Sequence, residues 1–300
     1  MEELELVKSQ IITYVKECGH QRSLELLNLL SQGKMLRSKL ILKIAGISDE
    51  SIKLCAVVEM IQSASLLHDD VIDEADTRRG KPSINAIFDN KTSIMFGDIL
   101  YSKAFSELTL MNKDVAYAIA SSVTKLSIGE LDDVEMADEF NTSYDKYFGM
   151  IYNKTASLIE ASAKSASILA NKDTEAFSLY GKNLGLAFQM IDDILDITQT
   201  SEQLGKPAML DFVEGKVTIP YLYLYERLDN ENKDKLKSLY KKELTKDEQE
   251  WIKDEMIKYN VLIDCISEAQ NLGLEAVEAI KDDDCDDLKN IMNQMINRSF

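Results

Sequence analysis

The sequence predicts an all-α protein, and its composition and apolar pattern carry this prediction. Only 3 of the 300 residues are proline and 12 are glycine, whereas β-rich and doubly wound proteins need many of both in their turns. Apolar residues recur at helical spacing through almost the whole chain, as in Leu54, Val57, Val58 and Ile61. Strict alternation of apolar and polar residues, which marks half-buried strands, is nearly absent. Hydrophobic residues make up 45% of the chain, enough to fill a large core.

The predicted helices follow one another along the chain with short breaks between them. The main breaks carry glycines and prolines and lie at Gly33, Gly46, 80–82, 205–207 and Gly215. In order, the pattern predicts helices over residues 2–18, 21–31, 34–45, 50–74, 92–111, 114–136, 142–170, 173–198, 217–228, 232–242, 246–259, 261–281 and 285–297. Because no low-complexity linker divides the chain, we predict that residues 1–300 form a single domain.

The charge balance argues against nucleic-acid binding. Lys and Arg total 34 against 52 for Asp and Glu, and the net charge of -18 would repel a phosphate backbone over most of the surface. The four cysteines lie far apart without a C-x-x-C spacing, so neither a zinc site nor a disulfide framework is indicated. No basic region precedes an apolar stretch at the amino terminus, and apolar runs end well short of ~18 residues. We therefore expect a cytoplasmic protein without a signal peptide or membrane span.

Two carboxylate motifs of the form D-D-x-x-D are the sequence features that point most clearly to a function. One runs from Asp69 to Asp73 and the other from Asp192 to Asp196, each inside a long apolar helix. On a helix, residues i and i+4 share a face, so the outer carboxylates of each motif converge. Like charges this close are stable in an apolar setting only when they are protonated, matched by cations or bound to metal. Each motif is therefore a candidate metal site.

The alternative is that an acid-rich chain contains Asp pairs by accident. Two other groups of Asp residues, the pair Asp132-Asp133 and the cluster at 282–287, lie outside the motifs and are taken as examples of accidental clustering in this chain. The cluster follows Lys281 and has the composition of a solvated helix junction. The second motif instead lies in the apolar stretch 184–197, where burial without a partner would be costly.

Oxygen-only ligands favour Mg²⁺, which takes a few carboxylates and completes its shell with waters and substrate phosphates. Two such motifs facing each other across a helical bundle would hold a diphosphate between metal ions. Basic residues follow or flank both motifs, and Lys34 and Arg37 at i and i+3 can grip one phosphate together. The others near the motifs are Arg78, Arg79, Lys206 and Lys216.

At these residues the sequence resembles the trans-isoprenyl diphosphate synthases, the polyprenyl synthetase family, and within it the medium- and long-chain (hexaprenyl to octaprenyl) synthases. The resemblance extends from Gly33 to about Pro220. It is carried by Gly33-Lys-x-x-Arg37, Leu66 to Pro82, Gly97-Asp98, Lys154-Thr155, Phe188 to Ile197, Gly205-Lys-Pro207 and Glu214-Gly-Lys216. It implies a single large helical bundle around a deep central cavity, the isoprenoid synthase fold, as a homodimer.

The resemblance also implies the chemistry and the site. Isopentenyl diphosphate would condense onto an allylic diphosphate, farnesyl or geranyl, with two or three Mg²⁺ ions bound with the substrate diphosphate. The implied metal ligands are Asp69, Asp70, Asp73, Asp192, Asp193 and Asp196. The implied partners of the allylic diphosphate are Arg78, Lys154, Thr155, Gln189, Lys206 and Lys216. The implied isopentenyl diphosphate clamp is Lys34, Arg37 and Arg79. Asp69, Asp70, Asp73, Arg78, Lys154, Asp192 and Lys206 would take part directly in catalysis.

Three positions depart from the family pattern. Gln62 stands where a His often grips isopentenyl diphosphate, and an amide donates a hydrogen bond but cannot become cationic. Ser38 stands where Pro usually follows the Arg, and Met209 stands where a Gly follows Ala208. We expect weaker isopentenyl diphosphate binding from the first departure and a narrower phosphate loop from the third.

The residues Ala64 and Ser65 give a partial prediction of the chain length of the product. In the family, these positions before the first Asp form the cavity floor, where an aromatic residue stops chain growth. At ~1.5 Å per residue they lie about 6 to 7.5 Å below Asp69. Both are small, which favours a product of C30 or longer, a quinone side-chain precursor. The alternative is that small residues merely permit close helix packing, which leaves a short-chain (farnesyl or geranylgeranyl) synthase open.

Three other kinds of protein share part of this pattern: a di-iron bundle protein, a class I terpene cyclase and an inactive synthase subunit. A di-iron bundle needs two Glu-x-x-His motifs, but the chain has only two histidines. A class I terpene cyclase would normally lack the second motif and the Lys34-Arg37 clamp. An inactive partner subunit of a heteromeric synthase would have lost a motif or the basic residues, and both motifs are intact here. The predicted protein is therefore a prenyltransferase with no membrane span, in at most transient contact with a membrane when product is released.

Overall fold

A computed structural model describes residues 2–31, 33–199, 208–283 and 285–297. Helices dominate these residues, and the expected all-α fold class is confirmed. In chain order the helices are α1 Glu2–Glu17, α2 Gln21–Leu29, α3 Leu36–Ala45, α4 Asp49–Ile72, α5 Ile84–Ile87, α6 Asn90–Leu108, α7 Lys113–Met136, α8 Tyr144–Ile151, α9 Ser157–Ala170, α10 Thr174–Thr198, α11 Leu210–Val213, α12 Ile219–Arg227, α13 Asn230–Leu239, α14 Lys246–Lys258, α15 Val261–Ala279 and α16 Asp286–Ile296.

Three features differ from the sequence expectation. The helix predicted over 142–170 is interrupted by a π-helical turn, Tyr152–Ala156, which separates α8 from α9. A two-stranded antiparallel ribbon, β1 Thr77–Arg78 and β2 Lys81–Pro82, follows the first Asp motif. The helices α5 and α11 are single turns of four residues, too short to show a period.

The chain divides into two compact units. Unit 1 contains the residues up to Val123 together with Leu158–Ser178, and unit 2 contains Thr124–Ser157 together with the residues from Leu179 onward. The prediction of one domain over residues 1–300 stays a prediction.

Helix α4 is the centre of unit 1. It begins at a capping box in which Ser48 and Ser51 each bond the other's backbone N–H, which satisfies donors that a helix start leaves open. One face of α4 is fully buried and packs against α6, α3 and α1. The Ser93 hydroxyl on α6 donates to the Leu67 carbonyl on α4 at 2.8 Å. These contacts fix the helix whose last turn carries the first Asp motif.

Helix α10 runs through the core of unit 2. Its apolar side chains pack with α8, α11 and α12, and with an aromatic group that includes Tyr147, Phe212 and Tyr221. The rings of Phe212 and Tyr221 stack with centroids 4.3 Å apart. The burial of α10 extends to its last turns, so the second Asp motif enters an apolar environment, as expected from 184–197.

No helix among the described residues is long and apolar enough to cross a membrane. All four cysteines are free thiols, and Cys55, Cys265 and Cys285 are buried.

Candidate active site

The first Asp motif lies at the carboxyl end of α4. Asp69 and Asp70 belong to its last turn, and Asp73 is the C-cap, whose N–H donates to the Asp69 carbonyl at 2.8 Å. Asp69 is half-buried and Asp73 is exposed, while Asp70 is buried. The helix therefore presents Asp69 and Asp73 outward on one face and turns Asp70 into the protein.

Asp70 is paired within unit 1. The Arg78 Nε donates to Asp70 Oδ1 at 2.6 Å, and the Asn85 amide donates to the Asp70 carbonyl at 3.1 Å. Burial raises the pKa of Asp70 above its ordinary value, and Arg78 acts against this rise. The ion pair ties the β1–β2 ribbon back to α4. Asp70 and Arg78 thus lie together, although the sequence assigned one to metal and the other to phosphate.

The ribbon turn aims Arg79 at the loop before α3. Arg79 and Gly80 both have positive φ, 54° and 72°, as a two-residue hairpin turn of type I′ requires. The Arg79 Nη1 donates to the Ser31 carbonyl at 2.8 Å. A Cβ added at Gly33 would lie 2.7 Å from Arg79 Nη2, so the glycine lets the guanidinium rest on the backbone.

Arg37 and Arg79, with the carboxylate of Glu59, form what we call the arginine pocket. Burial, opposed by Glu59 and reinforced by Arg79, lowers the pKa of Arg37 to about 10. Burial also lowers the pKa of Arg79. Arg37 Nε is buried without a hydrogen-bond partner among the described residues. Two guanidinium groups that share the influence of one carboxylate leave an excess of positive charge, which favours an anionic ligand.

The remaining predicted residues of unit 1 lie on α4 and beside α3. Gln62 is one turn after Glu59 on α4, and its Oε1 is buried without a partner in the described part of the chain. Lys34 is exposed. Ala64 is fully buried and Ser65 almost fully buried, and the Ser65 hydroxyl donates to the Gln62 carbonyl.

The second Asp motif lies near the end of α10. Asp192 is half-buried, whereas Asp193 and Asp196 are almost fully buried. The Asp196 carbonyl accepts from Met209 N–H at 2.8 Å, and its Oδ2 accepts from Asp211 N–H at 3.3 Å. Asp211 was missed by the sequence analysis, since it stands alone and outside both D-D-x-x-D motifs.

Met209 stands at the position where the family pattern has a glycine, and its backbone conformation is one that glycine favours. Its φ is 57°, in the left-handed region, directly before α11. A glycine adopts this conformation without strain, and Met has to be held there by its burial and its bond to Asp196. Lys206, with Gly205 and Pro207, lies outside the described residues.

Asp193 is the acceptor at the centre of a hydrogen-bond chain. Tyr147 on α8 donates its hydroxyl to Asp193 Oδ2 at 2.5 Å, and the Gln189 amide donates to Oδ1 at 2.9 Å. Thr155 donates its hydroxyl to Gln189 Oε1 at 2.8 Å. Burial raises the pKa of Asp193 well above its ordinary value, and Asp211 adds to the rise. Both Asp193 oxygens thus accept hydrogen bonds, Oδ2 from Tyr147 and Oδ1 from Gln189, and the second bond orients Gln189 toward Thr155.

Lys154 lies in the π-helical turn and faces two carboxylates of α7. Its Nζ is 2.6 Å from Asp133 Oδ2 and 3.0 Å from Glu130 Oε2. Burial lowers the pKa of Lys154, but Asp133 and Glu130 outweigh it and raise the pKa above its ordinary value, against a smaller opposing effect of Lys216. Lys154 is therefore a cation held in place.

The sequence analysis did not assign Asp133 a role in the site. It belongs to the Asp132-Asp133 pair that served as an example of accidental clustering. In the structure Asp133 is buried on the Lys154 ammonium, while Asp132 is half-buried. The spacing Glu130-x-x-Asp133, which is i and i+3 on a helix, was the available signal.

Lys216 follows the second motif in the loop after α11. Its Nζ lies 3.1 Å from Glu214 Oε2. The Tyr240 hydroxyl on the segment after α13 lies 2.7 Å from the Gly215 carbonyl and 2.9 Å from the Ala137 carbonyl after α7. Tyr240 therefore holds the Lys216 loop against the end of α7.

Two glycines let neighbouring helices approach the π-helical turn. A Cβ at Gly129 on α7 would lie 2.7 Å from the Lys154 Cα, and one at Gly185 on α10 would lie 2.5 Å from the Ala156 Cα. These are backbone atoms that cannot rotate away. Side chains at either position would have to displace the turn that carries Lys154 and Thr155.

Gly129→Ala should destabilise the protein by about 1–3 kcal/mol, the range for overpacking a close contact. The matched control is Gly149→Ala on α8, where a Cβ would meet nothing within 4 Å. Because Ala is a better helix former than Gly, this control substitution should raise the free energy of unfolding by up to about 1 kcal/mol. Urea unfolding of both variants measures the difference. Equal stability of the two variants would contradict the close packing at Gly129.

The acidic donors suit a hard cation that also binds a phosphate ligand. No group of three His, Cys, Asp or Glu side chains among residues 2–31, 33–199, 208–283 and 285–297 is arranged to hold a metal ion by itself. In unit 1, Asp69 and Asp73 carry carboxylates at half-buried and exposed positions, and in unit 2 Asp192 carries one at a half-buried position. One or two carboxylates in each unit are the kind of partial ligand set that Mg²⁺ uses, because this ion keeps waters and takes phosphate oxygens from its substrate.

Comparison with known proteins assigns the family. The polyprenyl synthetase family model matches residues 22–257. Octaprenyl pyrophosphate synthase from Helicobacter pylori is similar at 42% identity, with a TM-score of 0.93 over 99% of both chains. A decaprenyl diphosphate synthase from Rhodobacter capsulatus is similar at 29% identity, with a TM-score of 0.92 over 100% of this chain and 97% of that one.

The curated relatives agree over a shorter length. Solanesyl diphosphate synthase 3 of Arabidopsis thaliana is 45% identical over 177 residues, which are 58% of this chain and 42% of that protein. The chain thus spans less than half the length of this plant relative. The structural matches confirm the expected isoprenoid synthase fold. The chain belongs to the polyprenyl synthetase family.

Proposed function

We propose that the protein is a Mg²⁺-dependent prenyltransferase that condenses isopentenyl diphosphate onto an allylic diphosphate and makes a long-chain all-trans polyprenyl diphosphate. The observation that carries this proposal is the arrangement in unit 1. There α4 bears Asp69 and Asp73 on one face and lies beside the arginine pocket. A pair of carboxylates at the end of α4, and two arginines from α3 and the ribbon turn that lie near Glu59 of the same helix, supply the cation-binding and anion-binding groups that two diphosphate substrates need.

The bond changes require charge stabilisation and no protein nucleophile. The allylic carbon–oxygen bond breaks, and the diphosphate leaves with the electron pair. The isopentenyl double bond then forms the new carbon–carbon bond, and a proton passes to an oxygen of the released diphosphate. Cationic side chains aimed at the leaving diphosphate lower the barrier, because they act where charge develops.

We assign the residues to two substrates. Arg37, Arg79 and Lys34 would bind isopentenyl diphosphate, with Gln62 contributing through its amide. Lys154, Lys206 and Lys216 would bind the allylic diphosphate, and Thr155 and Gln189 would face the developing positive charge. The locked position of Lys154 on Asp133 and Glu130 supports its role as a fixed cation.

The proposed main holders of Mg²⁺ are Asp69 and Asp73 in unit 1 and, separately, Asp192 with Asp196 in unit 2. When bound, Mg²⁺ would neutralise the departing diphosphate. Asp70 and Asp193 already pair with Arg78, Tyr147 and Gln189, which supports positioning roles for these two carboxylates.

A second copy of the chain is the proposed partner. Three apolar side chains on α7 are exposed at i, i+3 and i+6, namely Ile128, Leu131 and Val134, with 47%, 58% and 47% of their surface accessible. An apolar stripe of this kind on a helix favours protein contact. We further propose a cytoplasmic location, with transient membrane contact at product release.

A radiochemical assay tests the proposed activity. Labelled isopentenyl diphosphate should enter an apolar extractable product when an allylic diphosphate and Mg²⁺ are present, and should not when EDTA is added. Failure to incorporate label under all conditions would favour the alternative of an inactive partner subunit.

Gln62→His should lower KM for isopentenyl diphosphate, because a cationic ring binds a diphosphate more strongly than a neutral amide does. The allylic KM should stay almost unchanged. Steady-state kinetics with each substrate varied in turn measures both constants. A change in the allylic KM alone would show that Gln62 belongs to the other substrate.

A further inference from the structure

The carboxylate of the arginine pocket is anchored by one serine. Ser38 lies in the first turn of α3 and is fully buried. Its hydroxyl donates to Glu59 Oε1 at 2.7 Å, and its backbone N–H donates to the same oxygen at 3.3 Å. Glu59 extends from α4, so the two bonds fix a carboxylate of one helix on the amino end of another, where backbone donors are available.

Glu59 is the acidic group that acts on both arginines of the pocket. It raises the pKa of Arg37 and that of Arg79, in each case against burial. Arg37 Nε nevertheless is buried without a hydrogen-bond partner among the described residues. The carboxylate therefore stabilises the guanidinium groups from a distance while its Oε1 stays on Ser38.

We propose that Ser38 is a positioning residue for the isopentenyl diphosphate site: by holding Glu59 on the start of α3, it leaves Arg37 Nε available to the incoming diphosphate. This inference rests on the function proposed above. It gives a role to a position where the sequence departs from its family.

The physical reason is competition for one donor. Glu59 is half-buried, and without the Ser38 hydroxyl it keeps only the longer bond from the backbone N–H at 3.3 Å. A partly desolvated carboxylate in that state favours a nearby stronger donor, since an under-satisfied charged group is costly. The unpartnered Arg37 Nε is such a donor, and a charge-assisted bond to it would be strong. Without the Ser38 hydroxyl, Glu59 would occupy the group that the diphosphate needs.

A double-mutant cycle tests this competition. Titration calorimetry with isopentenyl diphosphate should show about 10-fold weaker binding to Ser38→Ala than to the wild type, the scale of losing one charge-assisted bond. In the Glu59→Gln background, adding Ser38→Ala should change the affinity less than 2-fold, as there is no carboxylate left to compete. Ser38→Cys, which keeps the size but weakens the donor, should fall between wild type and Ser38→Ala.

Ser162→Ala is the matched control. Ser162 is equally buried in unit 1, but its hydroxyl donates to the Leu158 carbonyl of its own helix. It should leave the affinity unchanged. In steady-state assays, Ser38→Ala should raise KM for isopentenyl diphosphate and leave kcat and the allylic KM close to wild type.

Three results would overturn the inference. These are unchanged binding to Ser38→Ala, an equal loss in both Glu59 backgrounds, or a loss confined to the allylic substrate. The binding measurement does not depend on turnover. A wild type that binds isopentenyl diphosphate but forms no product would refute the proposed activity and still leave the Ser38 comparison decisive, whereas a wild type that does not bind it refutes both.

Discussion

Asp69→Ala is expected to lower kcat by at least about 10²-fold, the scale of losing one major electrostatic stabiliser of the reaction. Asp69 shares the outward face at the end of α4 with Asp73, and the two carboxylates are proposed to hold the same ion. Its loss removes half of that pair. Steady-state kinetics at saturating substrates and Mg²⁺ measures the effect, and circular dichroism checks that the helices are retained.

Asp282→Ala is the control for this prediction. Asp282 is exposed in the acidic segment before α16, away from both motifs in sequence, and its removal should leave turnover unchanged. Near-normal turnover of a folded Asp69→Ala protein would refute the assignment of the first motif to metal binding.

Ala64→Phe or Ser65→Phe is expected to shorten the main product to roughly C15 or C20. Both residues are buried about one turn below Asp69 at ~1.5 Å per residue, and each condensation adds five carbons to a chain proposed to grow in that direction. An aromatic ring there would block its path. The first condensation should proceed at a comparable rate, since the Asp motifs and the arginine pocket are untouched.

Lys53→Phe provides an aromatic control on the same helix. Lys53 is exposed on α4, so its replacement should keep the wild-type product. Chromatography of dephosphorylated products separates the lengths. Full-length product from both inner variants would place the floor of the growing chain on another helix and would remove the support for a long-chain enzyme at these positions.

Most of the helical fold was readable from the apolar period. The predicted helices at 50–74 and 173–198 correspond to α4 and α10, because each has a long buried face that repeats every three to four residues. The π-helical turn was missed, because residues 152–156 contain no glycine or proline that would mark a break in the helix, and the cause of the turn is spatial. It is accommodated by Gly129 and Gly185, which are distant in sequence from residues 152–156.

The sequence predicted many of the candidate site residues, but not which of them are joined by hydrogen bonds. The sequence marked Lys154, Asp193 and Arg37 as charged residues in a recognisable pattern. It did not indicate that Asp193 accepts from Tyr147, or that Ser38 holds Glu59. These bonds join different helices, with partners 46 residues apart in the first case and 21 in the second. One sequence carries no information on which side chains of different helices meet.

The length of the product that the wild-type protein makes distinguishes a long-chain prenyltransferase from a short-chain one. Incubation with isopentenyl diphosphate, farnesyl diphosphate and Mg²⁺, followed by dephosphorylation and chromatography against polyprenol standards, measures it. We expect polyprenyl diphosphates of C30 or longer from the farnesyl primer. Recovery of unextended farnesol, or extension that stops at C20, would contradict this expectation.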